Sequence, residues 1–175
     1  MNSSRSRNIG SRFKPRSGET VILFSVGGAK FAIAASAVEE IRDLAGLQKL
    51  GLGVQQRFAK VKQTLERQGQ RYFVVDTSEH FHLVAVRPSR VLILRHARAA
   101  VIADAIDCMH ELNSMQALPR AFSGEERNWY RGLALVKGRV IPVVRPEAFL
   151  SKVEVALIEA SMRDRETAGQ AVSRA

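Results

Sequence analysis

The sequence predicts a mainly β protein: two similar strand modules in tandem, short connecting helices and a C-terminal helix. Three observations predict it. Apolar residues step by two in short runs, glycine-containing pairs punctuate the runs, and the whole pattern occurs twice. The clearest unit is YRGLALVKGRVIPVVRPEAFL, Tyr130 to Leu150. Leu133 and Leu135, then Val140, Pro142 and Val144, alternate as residues on one buried strand face do. Lys137-Gly138 between the runs reads as a two-residue hairpin turn, because glycine tolerates positive φ. Gly132 and Gly138 are assigned as the structural turn glycines. Pro142 offers no ladder proton, which predicts an edge strand or a bulge. Arg145-Pro146-Glu147 then opens a helix, with proline suited to the first turn and a carboxylate near its positive end.

The unit has an earlier echo in LERQGQRYFVVDTSEHFHL. A shift of 69 positions places Gly138 on Gly69 and Val143-Val144 on Val74-Val75. The same shift lays Val91–Leu94 over Ile22–Ser25 and Val101-Ile102 over Ala32-Ile33, with one slip near Val38 and Ile106. Ordered strand–turn–strand units in both halves indicate an internal duplication, with a period too long for the usual solenoid repeats.

In chain order, residues 1–18 are rich in Ser, Arg and Asn and are expected to form a disordered basic tail. Residues 19–86 form the first module. Glu19 to Ile33 reads as a hairpin turning at Gly27-Gly28, with Val21, Leu23 and Val26 facing inward. Ala34, Ala37, Val38 and Ile41 fall at helical spacing, so a short helix follows. The glycine-rich stretch from Asp43 to Gly53 is a connector. Gln55 to Leu65 fits a helix by its apolar spacing, whereas the duplication requires a strand by about Lys62; the repeat decides for a strand. Gln70 to Asp76 is a strand, Thr77 to Leu83 a turn or short helix. Residues 87–147 form the second module, with a hairpin turning at His96-Ala97-Arg98, a short helix from Asp104 to Leu112, a polar loop to Arg127 and the hairpin described first. Residues 148–165 are the C-terminal helix, with Val153, Leu157, Ile158 and Met162 on one stripe, and 166–175 should fray.

Composition bounds the function. The chain has 175 residues, 46% of them hydrophobic, and no run approaching the roughly 18 to 20 apolar residues of a membrane span. The N-terminus lacks a signal peptide's apolar segment, and Cys108 stands alone, so the expected setting is a reducing cytoplasm. Lys and Arg number 27 against 17 Asp and Glu, for a net charge of +10. Such a charge attracts nucleic acid or an acidic protein partner. Few exposed aromatics are available on the strands for stacking bases. A basic small-barrel nucleic-acid binder, reaching nucleic acid through the basic tail, is therefore the alternative reading.

No catalytic constellation emerges, and neither a cofactor nor a metal is expected. His80 and His82 could share a strand face, but no third element marks further ligands, and they read as surface histidines. Cys108 and His110, placed on a helix, would point apart, leaving a buried structural thiol. Glu39-Glu40 and Glu125-Glu126 are adjacent pairs that face away from each other. Trp129 and Tyr130 read as core or rim packing.

Four segments resemble the CheW family, the adaptors that couple chemoreceptors to the histidine kinase CheA. FAIAASAVEEIRDL is similar to the family's segment after its first hairpin, where Glu-Ile-Arg recurs; YRGLALVKGRVIPVV resembles its G-x-x-x-x-x-G-R-x-I-x-[IV] hairpin; RYFVVDTSEHFHL resembles its P-[IV]-[IV]-D-L strand and turn; LSKVEVALIEAS resembles its terminal helix. The resemblance spans roughly Thr20 to Ala160. It implies two intertwined five-stranded SH3-like barrels with the C-terminal helix packed on the first. It also implies a non-catalytic scaffold recruited to membrane receptor arrays through its partners. Those partners would be the regulatory domain of a CheA-type kinase and the cytoplasmic tip of a chemoreceptor. By position, Val38, Glu40, Ile41 and Arg42 match the kinase-contacting element, and Gln68, Gly69 and Asp76 match the hairpin near the receptor groove. The family's hairpin typically reads Asn-Leu-Arg-Gly with a proline four residues on. Here Glu66, Arg67, Gln68, Gly69 and Phe73 stand there. The arginine is lost at Gln68, and Arg67, one residue earlier, is expected on the opposite strand face.

Overall fold

Two sheets share one chain by exchanging hairpins. A computed structural model describes residues 12–13, 18–84, 86–95 and 97–172. Its strands are β1 Arg12–Phe13, β2 Glu19–Val26, β3 Ala29–Ala34, β4 Val38–Arg42, β5 Leu47–Lys49, β6 Val61–Arg67 and β7 Gln70–Val75 in the first half. The second half supplies β8 Arg90–Leu94, β9 Ala99–Ala103, β10 Ala105–Leu112, β11 Met115–Gln116, β12 Tyr130–Val136 and β13 Arg139–Val144. Four short helices, α1 Leu52–Arg57, α2 Thr77–His80, α3 Glu126–Trp129 and α4 Pro146–Phe149, precede the long α5, Lys152–Val172.

One sheet runs β4-β8-β9-β7-β6-β5 and the other β1-β11-β12-β13-β3-β2-β10. Read through the repeat, these are the same order: β4, β8, β9, β7, β6 and β5 in one sheet correspond to β10, β2, β3, β13, β12 and β11 in the other. Each half lends its first hairpin to the other half's sheet, so a boundary at residues 86/87 does not separate the sheets. The parallel seam joining a lent hairpin to its host is likewise doubled, Phe73–Val75 against Ala99–Val101 and Val143 against Ala32. The sheets hold six and seven strands, rather than five each, because short edge pieces are added.

The exchange explains why β2 reads as an unbroken apolar run. Val21 and Leu23 enter the core of their own sheet, with Ala134, Val136 and Val143. Ile22, Phe24 and Val26 point the other way, into a core between the two sheets that also holds Phe73, Leu92, Val144, Phe149 and Ile158. Phe24, Phe73 and Phe149 are fully buried there, each worth roughly 1.5–3 kcal/mol relative to exposure. A third cluster, around Leu65, Val74 and Ile93, fills the other sheet.

Several expectations are corrected. Ala34 to Ile41 is a 3-10 turn at Ala35–Ala37 followed by strand β4, and Asp104 to Leu112 is strand β10; sheet pairing overrides the helical spacing of small apolar residues. On β12 and β13 the buried residues are Tyr130, Gly132, Ala134, Val136, Ile141, Val143 and Val144, so Val144 lies inside as expected, whereas Leu135 and Val140 lie outside and Leu133 and Pro142 are half-buried. Gly132 is a strand residue, not a turn glycine: an added Cβ would stand 2.5 Å from the Gln116 carbonyl and 2.8 Å from Met115 Cγ. Gly138, by contrast, sits in the expected turn, where Lys137 (φ 49) and Gly138 (φ 77) form a type I′ hairpin. Pro142 lies on an interior strand, tolerated because β13 meets β3 at a single registered pair. Gln55 to Leu65 holds both readings in turn, α1 and then β6.

The expected disorder of residues 1–18 lies mostly outside the described residues, as does His96 of the β8–β9 turn; Arg12–Phe13 pairs with β11. The final helix reaches Val172, beyond the expected fraying point. Ser151 and Glu154 open it with a reciprocal capping box, Ser151 N to Glu154 Oε2 at 2.7 Å and Glu154 N to Ser151 Oγ at 3.1 Å. Glu154 then pairs with Lys60 at 2.7 Å, and Ile158 is fully buried.

Candidate functional site

Among the described residues, strand β4 is an edge strand: it pairs only with β8, through Val38–Leu94, Glu40–Ile93, Ile41–Leu92 and Arg42–Val91, with a bulge after Val38. The bulge divides the residues by role. Val38 is buried in the shared core, whereas Ile41 keeps 39% of its surface exposed on a strand flanked by charge. An aliphatic side chain exposed on an edge strand that also carries Glu39, Glu40 and Arg42 is a suitable anchor for another protein.

Arg67 holds the two carboxylates of that strand. From the last position of β6 its Nε donates to Glu40 Oε2 at 2.6 Å and its Nη1 to Glu39 Oε1 at 2.9 Å. The hydrogen bond to Glu40 raises the Arg67 pKa further. Strands β4 and β6 are far apart in the sheet order, so this ion pair bridges a sheet that has rolled toward itself without a backbone ladder. The expectation that Arg67 would face away from this neighbourhood is overturned. Gln68 is not a strand residue; with φ 51 beside Gly69 at φ 72 it forms the type I′ turn. Strict alternation therefore stops at Arg67, and its long side chain reaches β4 from the strand's end.

The structure thus brings Glu40, Arg67, Gln68 and Gly69 into one neighbourhood. Glu39, Arg67, Gln68, Tyr72, Arg95 and Arg98 line a crevice of about 470 Å³. Arg95 buttresses it by donating to the carbonyls of Ser36 (3.2 Å) and Val38 (3.5 Å). Arg42 turns instead toward the Ala45 carbonyl, at 3.4 Å.

Asp76 is placed elsewhere. It lies at the far end of β7 from Gly69, roughly 23 Å away at ~3.3 Å per residue. There it caps α2, accepting from Ser78 N (3.1 Å), Glu79 N (3.4 Å), Ser78 Oγ (2.5 Å) and Lys62 Nζ (3.1 Å). Burial pushes its carboxyl up, but the Ser78 hydroxyl, Lys62 and the Glu79 amide outweigh this and hold it below the usual range. Its side chain serves the local fold.

The expectation for His80 is also corrected, whereas His82 is exposed as expected. His80 is on helix α2 and buried, not a surface residue, with ring centroids 4.9 Å from Phe81, 4.9 Å from Trp129 and 5.1 Å from Phe149. Its Nε2 has no hydrogen-bond partner among the described residues. Burial, aided by the charge of Lys60, lowers its pKa to about 4. Cys108 and His110 lie on strand β10, so they share a half-buried face instead of pointing apart. Trp129 is rim packing beside His80 and His82. Among the described residues no cluster of three or more His, Cys, Asp or Glu is arranged to hold a metal ion, and no helix is long and apolar enough to cross a membrane.

Sequence reasoning missed Arg67 and Glu39 as members of the β4 neighbourhood. The signal was present in the doubled Glu39-Glu40 and the adjacent Arg67, but the long-range pairing only follows from the rolled sheet.

Comparison with known proteins adds the family. A family model described as CheW-like domain matches residues 20–154. No curated protein sequence matches. Among solved structures, the fold is similar to the crystal structure of the scaffolding protein TtCheW from Thermoanaerobacter tengcongensis, with a TM-score of 0.67 at 14% identity. The match covers 86% of this chain and 96% of that one.

Proposed function

Because the chain belongs to the CheW-like domain family, we propose that it is a non-catalytic chemotaxis scaffold that couples chemoreceptors to a CheA-type histidine kinase in the cytoplasm. The observation that carries this reading is the β4 edge: Ile41 exposed, its outer backbone unpaired among the described residues, and Glu39 and Glu40 held by Arg67. In this reading the regulatory domain of the kinase docks on Glu40, Ile41 and Arg42, while Val38, buried beneath them, anchors the strand in the core. The receptor tip meets the hairpin turn at Gln68 and Gly69, and Asp76 acts at a distance by ordering α2.

The arrangement suits such a task. Arg67 supplies the bidentate fork that Gln68 cannot, and it ties the kinase-facing strand to the turn assigned to the receptor. A conformational bias delivered at the turn is then transmitted to β4 through one side chain rather than through a mobile loop. The scaffold needs no chemistry of its own: it fixes the relative position of its partners.

The test is reconstitution. Kinase autophosphorylation is measured with receptor-containing vesicles, with and without this chain. Receptor control of the kinase that requires the chain, and is lost with Ile41→Asp, supports the reading; control that is indifferent to both sinks it.

A further inference from the structure

Among the described residues, the internal repeat leaves one apolar face without the cover its counterpart has. On β6 and β7, the cross-strand pairs Thr64–Phe73 and Glu66–Arg71 share a face. Thr64 and Phe73 are buried, and helix α5 lies alongside: Glu159 and Met162 line one crevice with Glu66, Arg71 and Phe73. Arg98, stacked 5.9 Å from the Phe73 ring, binds Glu159.

The corresponding positions on β12 and β13 are the pairs Leu133–Pro142 and Leu135–Val140. Here Leu135 is 67% exposed and Val140 66% exposed. Where the covered hairpin carries an ion pair at its outer position, Glu66 with Arg71, this one carries two aliphatic side chains facing solvent. The strands themselves are firmly seated, because Ala134, Val136, Ile141 and Val143 on the reverse face are buried in the core. At the hairpin tip, Lys137 and Arg139 are exposed and make no ion pair among the described residues.

We propose that the outer face of the β12–β13 hairpin docks an acidic amphipathic helix of a partner protein. Two aliphatic residues one turn apart on that helix seat on Leu135 and Val140, with Leu133 and Pro142 as the floor, and its carboxylates reach Lys137 and Arg139. The covered hairpin shows how this fold receives a helix on the same face: apolar anchors against the strands and a carboxylate, Glu159, on a guanidinium. A second copy of the chain is a poor occupant. Two copies brought face to face would each carry a net charge of +10 and repel, and a like face, made of Leu133, Leu135, Val140 and Pro142, offers no carboxylate to meet Lys137 and Arg139. The proposal rests on this geometry alone and stands apart from the kinase and receptor reading.

The probe is a fluorescein-labelled, lactam-bridged helical peptide of about four turns, with leucines at i and i+4 flanked by glutamates. It is titrated into the full chain and read by anisotropy. Binding is expected to weaken by about tenfold or more with Leu135→Ser/Val140→Ser, with Lys137→Glu/Arg139→Glu, and when the peptide's glutamates are replaced by lysines. Methyl resonances of Leu135 and Val140 should shift on binding, and thermal melts should show that both variants fold. No binding, binding unchanged by the double serine variant, or equal binding of the lysine peptide would overturn the proposal. So would concentration-dependent dimerisation abolished by Leu135→Ser/Val140→Ser, which would assign the face to a second copy.

Discussion

His80 offers a prediction whose size follows from its surroundings. Its ring is enclosed by Phe81, Trp129 and Phe149, Nε2 has no partner among the described residues, and Lys60, Glu154 and His82 are the charged or titratable groups that act on it. Burial is the main cause of a pKa lowered from 6.5 to about 4, with Lys60 and His82 adding to it and Glu154 opposing it. The unfolded chain therefore takes up a proton near pH 6.5 that the folded chain refuses until about pH 4. Stability is complete above the unfolded value and is lost as pH falls through this window. The full drop is worth about 3 kcal/mol, and about 2 kcal/mol is already gone at pH 5. His80→Phe keeps an aromatic ring and removes the titration, so its stability should hardly change between pH 8 and pH 5. Urea midpoints read by Trp129 fluorescence at the two pH values give the comparison. Any constant difference in packing between the two proteins cancels when each is compared with itself. Equal losses in wild type and His80→Phe would refute the reasoning, because the acid sensitivity would then belong to other groups.

Three further outcomes are expected. Ile41→Asp should abolish binding to the kinase regulatory domain while leaving the melting transition within a few degrees of wild type; undiminished affinity would remove β4 from the interface. Arg67→Ala should weaken kinase binding and leave the fold intact, and restoring an arginine at position 68 in that background should recover little, since Gln68 occupies the turn and not the strand. Gly132→Ala should cost about 1–3 kcal/mol, because its Cβ would meet the Gln116 carbonyl and Met115; a neutral result in chemical denaturation would show that β11 can move away freely.

The fold was legible because its signals were local and repeated. The shift of 69 residues recovers the hairpins 61–75 and 130–144 strand for strand, including the turns Gln68-Gly69 and Lys137-Gly138. Two kinds of information were hidden. The first is which face of a strand is buried: on β12–β13 both alternating sets are apolar, so Leu133, Leu135 and Val140 looked as core-like as Ala134 and Ile141, and only packing decides. The second is partnership between distant strands. Small apolar residues from Ala34 to Ile41 fit a helix until β8 is available to pair with β4. The Arg67 contacts to Glu39 and Glu40 likewise depend on the roll of the whole sheet. His80 looked like a surface residue because nothing in its immediate sequence indicates that Trp129 and Phe149 close over it.

The central claim is most directly tested by calorimetry of the full chain with the regulatory domain of a CheA-type kinase from the same organism, at two salt concentrations, with a random DNA duplex as comparison. The account predicts binding near the micromolar range that changes little with salt, no comparable DNA affinity, and loss of the heat with Ile41→Asp. No kinase binding, together with DNA affinity that falls steeply as salt rises, would contradict it and identify the fold as one reused for nucleic acid.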